Sequence, residues 1–164
     1  MAGGRARNLG GEVGSDEVGS DEPENLIDEM MAASRVFVAI VARSLAELAP
    51  DLTLPQYRVL VVLATEGSQN MNGLAAALGV TPSTASRLCE RLVQRKMVSR
   101  RTSRTDRREV RLSITDHGRD LFDQVMAHRR ALLGPLVAAV PESSRAELLA
   151  ALRAINGKAG HGSP

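Results

Sequence analysis

Two short apolar stripes separated by a glycine turn, between Asn70 and Gln94, restrict what this chain can fold into more than any other stretch of it. Met71, Leu74, Ala75 and Leu78 recur at i, i+3, i+4 and i+7, the spacing of one buried helix face. Asn70 suits the N-cap of that helix, and Gly79 stands where it should stop. Thr81-Pro82 then signals a second start, because a threonine hydroxyl can accept from free amides and proline has none to satisfy at the first helical position. Ala85, Leu88, Cys89 and Leu92 give the second stripe. Two short helices joined in this way make a helix-turn-helix, whose second helix is built to enter a DNA major groove.

At 100° per residue, Ser83, Ser86, Arg87, Glu90 and Gln94 lie away from the second stripe, flanked by Thr84 and Arg91. Small hydroxyls let a helix approach phosphates closely, and an arginine can donate twice to the major-groove edge of guanine. Pro82, Ser83, Thr84, Ser86, Arg87 and Arg91 are therefore the candidate major-groove residues. Taken alone, the same face also fits an ordinary solvated helix.

Residues 98–114 favour the DNA-reading face. Val98 to Arg101 reads as a strand, Thr102 to Arg108 as a polar loop, and Val110, Leu112 and Ile114 alternate with Arg111 and Ser113 as a half-buried return strand. This hairpin carries Arg104, Arg107 and Arg108, with Asp106 placed to hold its tip through hydrogen bonds. Arginines on a slim ribbon suit the negative potential of a narrow minor groove.

These residues resemble the MarR family of winged-helix transcription regulators from about residue 25 to 155. The resemblance rests on Leu54-Pro55-Gln56-Tyr57-Arg58-Val59-Leu60, Leu74-Ala75, Thr81-Pro82-Ser83-Thr84, and Asp106-Arg107-Arg108 through Leu112-Ser113-Ile114-Thr115 to Gly118. Gly73 departs from the charged residue many members carry, and the first long helix lacks the cysteine of peroxide-sensing members. The resemblance implies a repressor released by a small molecule, with an effector pocket between the dimer helices and the helix-turn-helix near Met30, Met31 and Tyr57. By their residue types alone these three read as plain core.

Charge is distributed unevenly behind a formal net of +2. Residues 81–111 hold ten bases against three acids, whereas residues 1–30 hold eight acids against Arg5 and Arg7. Local basicity of this kind is the footprint of a polyanion partner. Residues 1–22 are Gly-rich and acidic and repeat Val-Gly-Ser-Asp-Glu twice, from Val13 and again from Val18, so they are expected to stay disordered.

The remaining chain is expected to be helical, giving a mainly α (α+β) fold: a winged helix-turn-helix head over 51–115 with long helices over 23–50 and 116–156 forming a dimerisation domain. Leu26 to Leu48 repeats apolar residues up to Pro50, and Thr53 with Gln56 forms a capping box for the next helix. Thr115 can cap a long helix that Pro135 should kink, a last helix carries Leu148, Leu149, Leu152 and Ile155, and residues 157–164 should fray. The long helices offer more apolar face than the small head can cover, which points to a homodimer.

Catalytic constellations are missing from the sequence: His117, His128 and His161 are scattered, and no phosphate loop or metal motif is present. No enzymatic activity, cofactor or metal is expected. Cys89 is a single cysteine on an apolar stripe and reads as a small core residue. The longest apolar run, Val59 to Ala64, cannot span a bilayer, and with no signal-peptide core the expected location is the cytoplasm. The alternative reading is a polyanion- or RNA-binding module without base readout. RNA binders stack aromatics on unpaired bases. Tyr57, Phe37 and Phe122 are the only aromatics, none of them in the basic stretch, which favours duplex DNA.

Overall fold

In the computed structural model the described residues are 21–102 and 110–160. The chain divides between two compact units, residues 1–37 and 38–164. Helix α1 (Asp21–Leu48) begins in the first unit. It starts two residues inside the segment expected to be unstructured, while residues 1–20 lie outside the described residues. In the first unit Leu26, Ile27, Met30, Met31 and Phe37 are all exposed.

The second unit holds the rest of α1, then α2 (Leu54–Thr65), β1 (Gln69–Asn70), α3 (Met71–Leu78), α4 (Pro82–Gln94), β2 (Val98–Thr102), β3 (Val110–Ile114), α5 (Asp116–Ala139), a 3-10 turn and α6 (Arg145–Gly160). The mainly α architecture with a small sheet agrees with the sequence-based expectation. α2 starts where Thr53 and Gln56 reciprocate: the Thr53 amide donates to Gln56 Oε1 at 3.0 Å, and the Gln56 amide to Thr53 Oγ1 at 3.5 Å. This pairing accompanies the burial of a glutamine, since Gln56 is only 3% exposed.

The core sits under the reading head. Val59, Leu60 and Leu63 of α2, Leu74 of α3, Leu92 of α4, Val98 and Leu112 of the hairpin and Val125 of α5 are all essentially inaccessible. The α1 turn at Leu45 joins them. With so few aromatics, packing of branched aliphatics from these elements supplies the apolar burial that stabilises the head.

β3 is central in a three-stranded antiparallel sheet ordered β1-β3-β2. The hairpin register pairs Val98 with Ile114 and Arg101 with Arg111, and β1 pairs Gln69 with Leu112. Sequence reasoning missed β1, a strand of two residues with no alternation to read. α5 runs through Pro135 without ending there, so the proline removes one amide donor and the helix continues on either side. α6 extends three residues beyond the expected stop at Gly157. Its Leu148, Leu149, Leu152 and Ile155 are exposed. Among the described residues no helix is long and apolar enough to cross a membrane.

Candidate nucleic-acid interface

The reading head is assembled from local signals that act within three or four residues. Asn70 Oδ1 accepts from the Gly73 amide at 2.8 Å and opens α3. Gly79 closes it at φ 67°, ψ 37°, a left-handed conformation that glycine adopts without steric cost. From α2, Arg58 Nη2 donates to the Leu78 carbonyl at 3.2 Å and so ties the turn to the core helix. Sequence reasoning passed over this tie, because Arg58 and Leu78 are twenty residues apart.

Thr81 opens α4. Its Oγ1 accepts from the Thr84 amide at 3.3 Å and lies 3.0 Å from both Ser83 Oγ and Thr84 Oγ1. The first turn of α4 thus presents a cluster of mutually oriented hydroxyls. Ala85, Cys89 and Leu92 are buried, as the stripe requires. The opposite side exposes Pro82, Ser83, Arg87 and Arg91, while Thr84 and Ser86 are half-buried. Ser86 Oγ donates to Glu90 Oε1 at 3.1 Å, which engages the one carboxylate on that face.

α4 hands over to the hairpin through a turn at Lys96, held at φ 59°. The Thr115 amide donates to the Met97 carbonyl at 3.0 Å, and Thr115 Oγ1 donates to Lys96 O at 2.7 Å while accepting from the Gly118 amide at 3.1 Å. Gly118 is buried against this joint, and a Cβ there would lie 2.2 Å from the Met97 carbonyl oxygen. The glycine that follows the Leu-Ser-Ile-Thr strand end is therefore required by close backbone approach.

On the hairpin, Arg101 and Arg111 face each other across the strands, with Ser99 opposite Ser113 on the same side. Arg104, Asp106, Arg107 and Arg108 lie outside the described residues.

A groove of about 270 Å³ runs between the first turn of α2 and the flank of α4, lined by Thr53, Gln56, Thr84, Arg87, Leu88 and Arg91. Sequence reading assigned Thr53 and Gln56 to capping alone. Their place beside the two arginines depends on how α2 packs across α4, which no local pattern reports.

Burial pushes the Cys89 thiol up to about 11, with Glu90 adding to the shift and the Arg100 guanidinium opposing it. A thiol that stays protonated is a poor nucleophile, which fits a packing role. Tyr57 is 2% exposed, its ring 6.5 Å from that of Phe122. Its Oη has no hydrogen-bond partner among the described residues. Burial raises the phenol above its ordinary range, and Arg129 lies near enough to oppose part of that shift without satisfying the hydroxyl. Met30 and Met31 are exposed on the first-unit part of α1. Among the described residues no three His, Cys, Asp or Glu side chains could together hold a metal ion.

The sequence pattern of the MarR family matches residues 51–109, from the start of α2 to the hairpin loop. The chain is 34% identical over 82 residues to the HTH-type transcriptional repressor MdtR of Bacillus subtilis, covering 50% of this chain and 53% of that protein. It is 31% identical over 107 residues to the HTH-type transcriptional regulator TtmR of Methylorubrum extorquens, covering 64% and 55%. The chain thus spans about half the length of these curated relatives. Among solved structures, RV1404 of Mycobacterium tuberculosis shares 36% identity at a TM-score of 0.76, with 88% of this chain and 97% of that one covered. YusO of B. subtilis shares 25% identity at 0.64, covering 89% and 99%. A helix-turn-helix joined to an arginine-bearing hairpin, the family pattern over that same head, and a relative matched along nearly its whole length agree that this chain belongs to the MarR family.

Proposed function

We propose that this protein is a sequence-specific regulator of transcription that binds duplex DNA in the cytoplasm as a homodimer on a palindromic operator. One observation carries the reading: α4 buries Ala85, Cys89 and Leu92 while exposing Ser83, Arg87 and Arg91, and it adjoins a ribbon on which Arg101 and Arg111 meet in register. Pro82, Ser83, Thr84, Ser86, Arg87 and Arg91 meet the major groove, with Arg87 reading a base edge. Arg104, Arg107 and Arg108, supported by Asp106, meet the minor groove or its phosphates. Relatives of this chain are named as regulators, which supports a non-enzymatic role, and the name of MdtR supports repression.

Exposed apolar residues on α1 and on α6 support the homodimer. One recognition helix covers few base pairs, and a single half-site would scarcely exceed non-specific binding, so two copies held at fixed spacing are needed. Release by a small molecule, for which the family resemblance names Met30, Met31 and Tyr57, completes the reading. Its support is the buried Tyr57 hydroxyl, which Arg129 approaches without completing a hydrogen bond of good geometry.

Selection of bound fragments from genomic DNA, followed by titration of the recovered duplexes, tests the function. The expected result is an imperfect palindrome with half-site centres roughly 10 base pairs apart, bound by a dimer in light scattering. Equal affinity for random duplexes would leave only a polyanion binder, and a monomeric mass with tight half-site binding would remove the dimer. Phenolic and other aromatic compounds that bind the native state should raise its melting temperature and weaken operator binding.

A further inference from the structure

The groove between α2 and α4 flanks the base-reading face, and its lining is chemically one-sided. Arg87 and Arg91, one helical turn apart, supply two cations, Thr53 and Thr84 supply hydroxyls, and no acidic side chain lines it. The Thr84 hydroxyl is already engaged with Thr81 at 3.0 Å. Thr53 Oγ1 acts as an acceptor toward the Gln56 amide, which leaves its own proton free to be donated into the groove. Arg91 is exposed on the flank of α4 that faces this opening.

From this juxtaposition we infer that the groove seats one phosphate of the DNA backbone, held by the Arg91 guanidinium and the Thr53 hydroxyl. The inference rests on the regulator reading and extends the DNA interface to the N-terminus of α2. A phosphate held beside α4 fixes the depth and register at which the helix lies in the major groove, so that Arg87 meets one base position rather than sliding. Arg91 is then a positioning residue that carries affinity, and Arg87 carries discrimination. The capping box also holds Thr53 before DNA arrives: the side chain of Gln56, 3% exposed, accepts from the Thr53 amide, and the Gln56 amide donates to Thr53 Oγ1.

Thr53→Asp separates this role from folding. Aspartate caps a helix as well as threonine does, and its charge suits a helix N-terminus, so the melting temperature should hold or rise. The new carboxylate would face the phosphate, and operator affinity should fall by on the order of tenfold or more at moderate salt. Thr53→Asn keeps a neutral cap with a donor and should bind much as wild type does. Arg91→Gln should reduce the slope of log affinity against log salt by roughly 1, with a loss on random duplexes and a larger one on the operator, where the register of Arg87 is lost as well. Thr65→Asp, the same charge at the far end of α2, controls for general repulsion.

If wild type binds duplex DNA while Thr53→Asp and Arg91→Gln retain its affinity and salt slope, the phosphate seat is overturned and the regulator reading stands. Equal losses in Thr53→Asp and Thr65→Asp overturn it as well. Stabilisation by inorganic phosphate that disappears in Thr53→Asp without change in DNA binding would make the groove a site for free anions, against the inference. Failure of wild type to bind any duplex would remove both readings together.

Discussion

Gly118 and Gly134 lie in the same helix, and replacing each with alanine should affect stability very unequally. At Gly118 the added Cβ would lie 2.2 Å from the Met97 carbonyl oxygen and 2.9 Å from Ile114 Cγ1. Ordinary carbon contacts settle near 3.5 to 4.0 Å, so the joint must open by about 1 Å or more, and overpacking of this kind costs about 1–3 kcal/mol. The Met97 carbonyl also cannot retreat freely, because it accepts from the Thr115 amide at 3.0 Å. Losing that bond adds about 1 kcal/mol. A total near 3 kcal/mol corresponds to a fall of roughly 6–12 °C for a protein of this size. At Gly134 no atom of another element lies within 4 Å of the added carbon, but the position is interior to α5 and directly precedes Pro135, whose ring crowds the Cβ of a helical residue before it. The gain of about 0.5–1 kcal/mol that alanine brings to an ordinary helix interior is offset there by that crowding, so Gly134→Ala should stay within about 1 kcal/mol of wild type. Thermal and urea unfolding followed by circular dichroism would measure both variants. A Gly118→Ala protein melting within about 2 °C of wild type, or matching Gly134→Ala, would refute the close approach and the account of the joint.

Arg87→Ala should relax preference at one or two base pairs with non-specific binding largely kept, whereas Arg108→Ala should weaken all sequences about equally and lower the salt slope by roughly 1. Titrations on operator and scrambled duplexes across a salt series distinguish the two, and interchangeable effects would contradict the assigned roles. Tyr57→Phe removes a buried hydroxyl that has no partner among the described residues, so stability should be unchanged or slightly higher by unfolding, with any small-molecule response diminished. A loss above about 1 kcal/mol would mean the hydroxyl is satisfied in the fold. Cys89 titrates at about 11 when folded against an ordinary value of 9.0. A raised folded value means its contribution is complete below pH 9 and is lost as pH rises from 9 toward 11, by about 2–3 kcal/mol. Urea midpoints measured over that window should fall less steeply in Cys89→Ala than in wild type; parallel curves would show that the thiol ionises as easily in the native state as in the unfolded one.

The helix-turn-helix was legible in the amino-acid order because each of its determinants acts over three or four residues. The Asn70 and Thr81 caps, the αL glycine at Gly79 and the stripes through Leu74 and Leu92 all appear where local spacing puts them. The hairpin was legible for the same reason, its strands alternating about a polar loop. What tertiary structure alone decided involves partners distant in sequence. β1 forms only because β3, some forty residues later, offers Leu112 and Arg111 as neighbours to Gln69 and Asn70. The Arg58 bond to Leu78 and the Arg119 bond to the Ala64 carbonyl at 3.0 Å span twenty and fifty-five residues. Gly118 could be recognised as part of a motif, but its physical reason, the Met97 carbonyl, emerges only when α5 packs against the α4–β2 turn. The same holds for Thr53: sequence identifies a cap, and only the packing of α2 across α4 sets that cap beside Arg91. Local order specifies which helices form and which faces they bury, while the distances between those faces are set by packing, which sums over the whole core at once.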